Sequence, residues 1–377
     1  MAHAPDPNVL RTRLRAARDA AGRSGVDAVL VTPGPDLRYL AGYHAVPLER
    51  LTCLLVPASG EPVLLVPRLE HAAAEASGAA DVVHVVSHEE NDDAFAMAAG
   101  LVRDALGGDP ATVALTNTMP AMHVLRLRDA MSGAKQVLAG SVLGELRVRK
   151  DPAEVDALRR AAQAIDRVHS RMGEWLRPGR TEAEVGRDIA DGIIAEGHRF
   201  VDFIIVASGP NGASPHHDTS DRVIERGDPV VVDIGGSMAD GYCSDCTRTY
   251  VVGGDPDPEF VKYYAVLLDA QKRACEVVRP GVTPASVDAA ARDVITEAGY
   301  GDYFFHRTGH GIGLETHEDP YIVSGNDRLL EPGMCFSIEP GIYLAGRHGA
   351  RIEDIVTVTD DGGERLDTID RELVVLD

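Results

Sequence analysis

With 377 residues, the chain is too long for one ordinary hydrophobic core and suits two domains. Its 44% hydrophobic and 25% charged residues are those of a globular protein, and a formal charge of −22 repels phosphate backbones, which argues against nucleic acid as a partner. No apolar run is long enough to span a bilayer, and the N-terminal Met-Ala-His-Ala-Pro-Asp-Pro lacks the basic-then-apolar order of a secretory signal. Five scattered cysteines, odd in number, do not make a disulfide framework, so the cytoplasm is the expected compartment.

In chain order, Val9 to Ala21 reads as a basic amphipathic helix and Asp27 to Val31 as a short apolar strand, broken by Thr32-Pro33-Gly34-Pro35. Leu51 to Val56 and Pro62 to Val66 are strands joined at Ser59-Gly60, and Val82 to Val86 and Thr112 to Leu115 continue the pattern. Alternating helix and strand predict an α/β domain with a mixed sheet over residues 1–147. A second domain, 148–377, opens on a helix with Asp151 as N-cap, Pro152 at the first helical position and Glu154 closing a capping box; the helix is expected to run to about Trp175, before Arg177-Pro178-Gly179.

This second domain carries an internal repeat. Arg177-Pro178-Gly179-Arg180-Thr181 is echoed by Arg279-Pro280-Gly281-Val282-Thr283, and each copy leads a helix that stops at a glycine, Gly197 or Gly299. Turn glycines Gly227 and Gly333 follow. Six residues after each, at the end of an apolar run, stands an acid, Asp233 or Glu339. Gly235-Gly236 and Pro340-Gly341 are read as turns into returning runs that bear a second acid each, Asp245 and Glu353. Pseudo-twofold packing would bring four acids together. Ionised carboxylates on buried strands are costly unless paired or bound to metal.

His310, between glycines in Thr308-Gly309-His310-Gly311-Ile312-Gly313, is the fifth ligand candidate. Four carboxylates and one imidazole form a hard donor set that fits two divalent ions, Mn²⁺ or Co²⁺ ahead of Zn²⁺. Such a pair, roughly 3.5–4 Å apart, can bridge a hydroxide, polarise a carbonyl and stabilise the oxyanion. Cys243-Ser244-Asp245-Cys246 is formally C-x-x-C, but no second such pair accompanies it, and small buried residues beside a ligand are the better reading. Phosphate-loop and nucleophilic-serine motifs are absent.

The strings Val231-Val232-Asp233-Ile234-Gly235-Gly236, Ser244-Asp245-Cys246-Thr247-Arg248-Thr249, Gly309-His310-Gly311-Ile312-Gly313, Ile338-Glu339-Pro340-Gly341 and Arg351-Ile352-Glu353-Asp354 resemble, in order, the metal motifs of the Xaa-Pro peptidases. These are prolidase and aminopeptidase P, of the creatinase/methionine aminopeptidase superfamily. The resemblance implies a pita-bread fold for the second domain and a creatinase-type fold for the first. It implies that Asp245 and Glu353 bridge two metals, that Asp233 completes one site and that His310 and Glu339 complete the other. His216, 17 residues before Asp233, and His317, seven after His310, match active-site histidines, and Glu339 matches the residue that takes a proton from the attacking water. Adjacent extended residues point opposite ways, so only one of His216 and His217 is expected to face the site, and the spacing picks His216. His306, Tyr343 and Arg351 match substrate-pocket positions.

The implied activity is hydrolysis of a small peptide before proline, as a dipeptidase or as an aminopeptidase P on longer peptides, by a homodimer. A metal-dependent amidohydrolase of a small metabolite on the same fold is the alternative. A non-catalytic interaction module on this fold is disfavoured by the full set of five ligand residues and by the absence of a basic tail.

Overall fold

The computed structural model describes residues 6–377. Residues 1–5, and with them most of the segment read for a secretory signal, lie outside the described residues. Among the described residues, no helix is long and apolar enough to cross a membrane. The chain divides into two compact units, one ending at Arg147 and one running from Val148 to Asp377.

The first unit is a six-stranded sheet of β1 (Ala28–Val31), β2 (Cys53–Pro57), β3 (Val63–Pro67), β4 (His84–His88), β5 (Thr112–Leu115) and β6 (Lys135–Leu138), in the order β4-β3-β2-β1-β5-β6. The β1/β2 and β2/β3 pairs are antiparallel and the others parallel, so the sheet is mixed. Every residue of β1 and β2 is buried, as an apolar run covered on both faces requires. Helix Pro7–Arg23, capped by Asp6, lays Leu10, Leu14, Ala17 and Ala21 into the interior. Lys135–Leu138 escapes the sequence reading because an edge strand with exposed ends shows no apolar alternation.

The second unit opens on helix Pro152–His169, in which Asp151 and Glu154 form the reciprocal capping box. It ends six residues short of the predicted Trp175. Ser170 Oγ bonds back to the Asp166 carbonyl at 2.9 Å, and a separate short helix, Met172–Trp175, follows. The first half of the repeat comprises helix Glu182–Ala195, β7 (His198–Ser208), β8 (Pro229–Met238) and β9 (Cys243–Val252). The second comprises helix Pro284–Glu297, β10 (Gly309–Gly311), β11 (Glu318–Ile322), β12 (Cys335–Ile338), β13 (Gly341–Leu344), β14 (His348–Arg351) and β15 (Asp354–Val358). The turn glycines Gly227 and Gly333 share a φ of +86°. With β16 (Gly363–Arg365) and β17 (Val374–Leu376), the sheets read β17-β9-β8-β7, β11-β10-β12-β15-β16 and β13-β14.

Gly235 and Gly236 do not form the expected turn. They lie within β8, opposite Asp245 and Ser244, and the chain reverses at Ala239 to Gly241. A Cβ on Gly235 would stand 2.4 Å from the Phe203 ring, and one on Gly236 would stand 2.5 Å from the Phe200 carbonyl oxygen. Close strand packing, not chain reversal, demands glycine there. The two halves join where Thr247 bridges Glu353. The Glu353 N–H donates to the Thr247 carbonyl at 3.1 Å, and Thr249 Oγ1 donates to the Arg351 carbonyl at 3.0 Å.

Candidate metal centre

Strand register decides which acids share a face. Asp233 stands opposite Thr247, and Gly235 opposite Asp245, so Asp233, Asp245 and Thr247 project from one side of the β8/β9 pair. Glu353 is bridged to Thr247 and therefore projects with them. Its Oε2 accepts from Thr247 Oγ1 at 2.7 Å. Glu339 follows β12 and His310 is the middle residue of the neighbouring β10. A Cβ on Gly309 would meet the Ser337 carbonyl oxygen at 1.9 Å, so only glycine brings the His310 strand this close.

These side chains converge. One donor atom each from Asp245, His310 and Glu353 lie within 4.8 Å of one another. His310 Nε2 is 3.2 Å from Glu339 Oε1 and 3.7 Å from Asp245 Oδ2. Asp233 Oδ2 accepts from the Arg351 guanidinium at 2.6 Å, while its Oδ1 is buried with no hydrogen-bond partner among the described residues. All five line a cleft of about 830 Å³.

The electrostatics point to a missing positive charge. Burial, reinforced by the neighbouring acids, pushes the Asp245 and Glu353 carboxyls well above the usual carboxylate range. Burial also acts to raise Glu339, but the hydrogen bond and charge of His310 prevail and hold it down at about 2. Four carboxylates face one imidazole and one guanidinium in a low-dielectric cleft. An orphaned oxygen on Asp233 and an oxygen-rich donor set fit divalent cations, which would remove the repulsion. In this family-independent sense the residues present can hold metal.

The remaining candidates surround the acids. His317 meets the His310 ring edge-on at 4.0 Å between centroids; burial first, and His310 second, lower its pKa to about 4. His216 and His217 both line the cleft; His216 is exposed, and His217 directs Nε2 to Glu182 at 2.8 Å. His306 Nε2 pairs with the Tyr343 hydroxyl at 2.9 Å, which in turn accepts from Arg351 at 2.8 Å. Arg351 spends its other donors on Thr247 Oγ1, Asp233 and the Pro215 carbonyl. Its guanidinium therefore orients Asp233. His306 and Arg351 line the cleft; Tyr343 stands behind them.

Sequence reasoning missed Thr247, which positions Glu353. Its signal was available, since it lies two residues beyond Asp245 on the same strand face. Phe305, Arg307, Asp202 and Asp218, also at the cleft, carried no signal in the sequence.

The arrangement is that of a metal-dependent hydrolase built on a duplicated αβ unit. The model of Metallopeptidase family M24 matches residues 156–360, and that of the Creatinase/Prolidase N-terminal domain matches residues 13–149. The chain is similar to a crystal structure of dipeptidase PepE from Mycobacterium ulcerans, at 53% identity and a TM-score of 0.93, over 99% of this chain and 100% of that one. It is similar to the prolidase of Thermococcus sibiricus, at 39% identity and a TM-score of 0.91, over 97% of this chain and 98% of that one. The Xaa-Pro dipeptidase of Lactobacillus helveticus is 35% identical over 94% of this chain and 96% of its own length. The chain belongs to Metallopeptidase family M24. Its second unit has the pita-bread fold and its first the creatinase-type fold, as the sequence motifs implied.

Proposed function

We propose that the chain is a two-metal Xaa-Pro dipeptidase, hydrolysing the bond on the amino side of proline. The observation that carries this reading is the convergence of Asp233, Asp245, Glu339, Glu353 and His310, from two repeated halves, on one cleft. The substrate class draws its support from the relatives named Xaa-Pro dipeptidase and prolidase.

In this reading Asp233, Asp245, His310, Glu339 and Glu353 would hold the two ions, with Asp245 and Glu353, one from each half, as the ligands the two sites would have in common. When bound, a divalent pair supplies Lewis-acid charge that acidifies water and polarises the scissile carbonyl. Glu339, beside His310 at 3.2 Å, would accept the proton of the attacking water. His317, held near 4, is neutral there and offers an N–H to the carbonyl oxygen as negative charge develops. His216 faces the same cleft and holds the substrate from the open side. Arg351 fixes Asp233 and, through the Tyr343 hydroxyl, the His306 ring against which substrate docks. The proline nitrogen carries no N–H, so a site that works on the carbonyl needs none.

The same reading takes Mn²⁺ or Co²⁺ as the metal, from the hard donor set. It takes the cytoplasm as the compartment, consistent with five free cysteines, and a homodimer as the assembly, from the family resemblance. Metal analysis coupled to a peptide panel tests it. Turnover of Ala-Pro or Leu-Pro with two Mn²⁺ or Co²⁺ per chain is the expected result. Turnover of Arg-Pro-Pro with inert dipeptides would make the chain an aminopeptidase P, and turnover of neither would remove the peptidase reading.

A further inference from the structure

Glu182 is fully buried, yet it stands outside the acid cluster and outside the cleft lining. It is the first residue of helix Glu182–Ala195, after the Thr181 N-cap, where the helix dipole favours a carboxylate. Its two oxygens gather an unusual number of donors. Oε1 accepts from the Ser208 N–H at 2.7 Å, from Ser208 Oγ at 2.7 Å and from Asn211 Nδ2 at 3.0 Å. Oε2 accepts from Asn211 Nδ2 at 3.2 Å, from the Ser220 N–H at 3.2 Å, from Ser220 Oγ at 2.6 Å and from His217 Nε2 at 2.8 Å. Burial acts to raise the carboxyl, but the hydroxyl, amide and imidazole donors outweigh it and keep the group below its ordinary range.

Every one of those donors lies between Ser208 and Ser220, the segment that leaves β7 and carries His216 before β8 begins. The segment has a short helical turn at Gly209–Ala213 and no strand pairing of its own after it. Irregular backbone without ladder partners is held by whatever side chains satisfy it. Here one carboxylate satisfies its start at Ser208, its middle at Asn211 and His217, and its end at Ser220. His216 lies in the turn just before His217, so anchoring the His217 ring on Glu182 fixes the backbone that presents His216 to the cleft.

We propose that Glu182 is a positioning residue for catalysis: it clamps the Ser208–Ser220 segment and, through His217, sets the imidazole of His216. The proposal rests on the reading of His216 as an active-site residue. Substitution Glu182→Gln keeps the shape but removes the charge that makes these hydrogen bonds strong. A misplaced active-site group loses about 10- to 100-fold in rate, so kcat on Ala-Pro should fall by that range while bound metal per chain stays unchanged.

A merely structural role would also lower activity, so two further readouts decide. In the holoenzyme, amide hydrogen exchange across residues 208–220 should quicken in Glu182→Gln and stay unchanged over β8 and β9. In a double-mutant cycle with His216→Ala, the loss from Glu182→Gln should largely vanish once His216 is gone. Equal losses with and without His216, or unaltered exchange over 208–220, would overturn the clamp. Wild-type kcat and KM in His216→Ala alone would instead overturn the role given to His216 and, with it, the catalytic part of this proposal.

Discussion

Two groups of buried carboxylates sit back to back where β9 meets β15, and they meet the cost of burial in opposite ways. Asp245 and Glu353 face the cleft; their neighbours Cys246 and Asp354 project from the other side of the same strands. On that rear face Asp354 accepts from Arg248 at 2.7 Å, from Arg365 at 2.7 Å and from Gln271 at 2.8 Å. Burial would raise its pKa, but the two guanidiniums hold it below the ordinary range. On the front face no arginine among the described residues pairs with Asp245 or Glu353; the charge of Arg351 acts on Glu353 but is outweighed by burial and the neighbouring acids, and both pKa values rise. A carboxylate neutralised by the protein's own cations secures the fold. One left crowded and short of positive charge stores free energy that a proton or a bound cation releases.

The largest expected effect lies on the front face. Asp245→Asn or Glu353→Gln should lower kcat/KM by at least about a thousandfold, the loss of several kcal/mol of transition-state charge stabilisation. Stability of the chelator-treated protein should move the other way. A carboxyl whose folded pKa is raised keeps its proton while the unfolded chain loses one, so stability falls as pH climbs through that window. Removing such a group lifts the midpoint of thermal unfolding near pH 8, which calorimetry on metal-free protein reads directly. Full activity in either variant would contradict a ligand shared by two ions.

Next in size is the rear face. Asp354→Asn strips the charge partner from Arg248, whose side chain is 3% exposed, and should cost about 3–5 kcal/mol. The sign with pH is opposite to that of the front face. Asp354 has a depressed folded pKa, so its contribution is present above the ordinary carboxylate range and fades as pH falls through the folded value. Urea midpoints of wild type and variant should therefore differ most near neutrality and draw together in acid.

The front face was legible in the sequence because duplication and strand alternation are one-dimensional signals. Asp233 and Glu339 repeat at equivalent offsets, and Asp245 and Glu353 follow on return strands, so convergence follows from pairing the halves. The error at Gly235-Gly236 shows where that kind of reading stops: glycine serves turns and tight sheets alike, and only the Phe203 ring packed against it tells them apart. The rear face was illegible. Asp354 meets Arg248 across 106 residues, and Glu182 meets Ser220 across 38, with no periodicity to link them. Arg351 fell between these cases. Its match to a pocket position was readable, but its partner, Asp233, lies 118 residues away in the other half.

His169 sharpens the contrast from a third position. It is buried against Tyr250 and the Cys246 carbonyl, and burial, helped by the charge of Arg248, lowers its pKa to about 3. Below its unfolded pKa of about 6.5 the unfolded chain takes up a proton that the folded one refuses. Wild type should lose about 2 kcal/mol between pH 6.5 and 5 from this residue alone, and His169→Gln should lose correspondingly less over the same interval.

The smallest effect concerns Asp166 and Asp367, which lie on the rear face with a donor atom each within 4.8 Å of Cys246 Sγ. Both keep a buried Oδ1 without a hydrogen-bond partner among the described residues. Here, unlike the front face, arginines are at hand: Asp354 pairs with Arg248 and Arg365 at 2.7 Å and with Arg371 at 4.0 Å. Burial, then the charges of Asp354 and Asp166, raise the Asp367 carboxyl well above its usual range. Its folded pKa being raised, the group destabilises the fold increasingly as pH rises above the unfolded value. Asp367→Asn supplies a neutral donor that cannot ionise. It should raise stability by about 1 kcal/mol near pH 8 and leave it unchanged near pH 4. A variant less stable than wild type at pH 8 would mean that the ionised carboxylate, not a proton on it, is what this face requires.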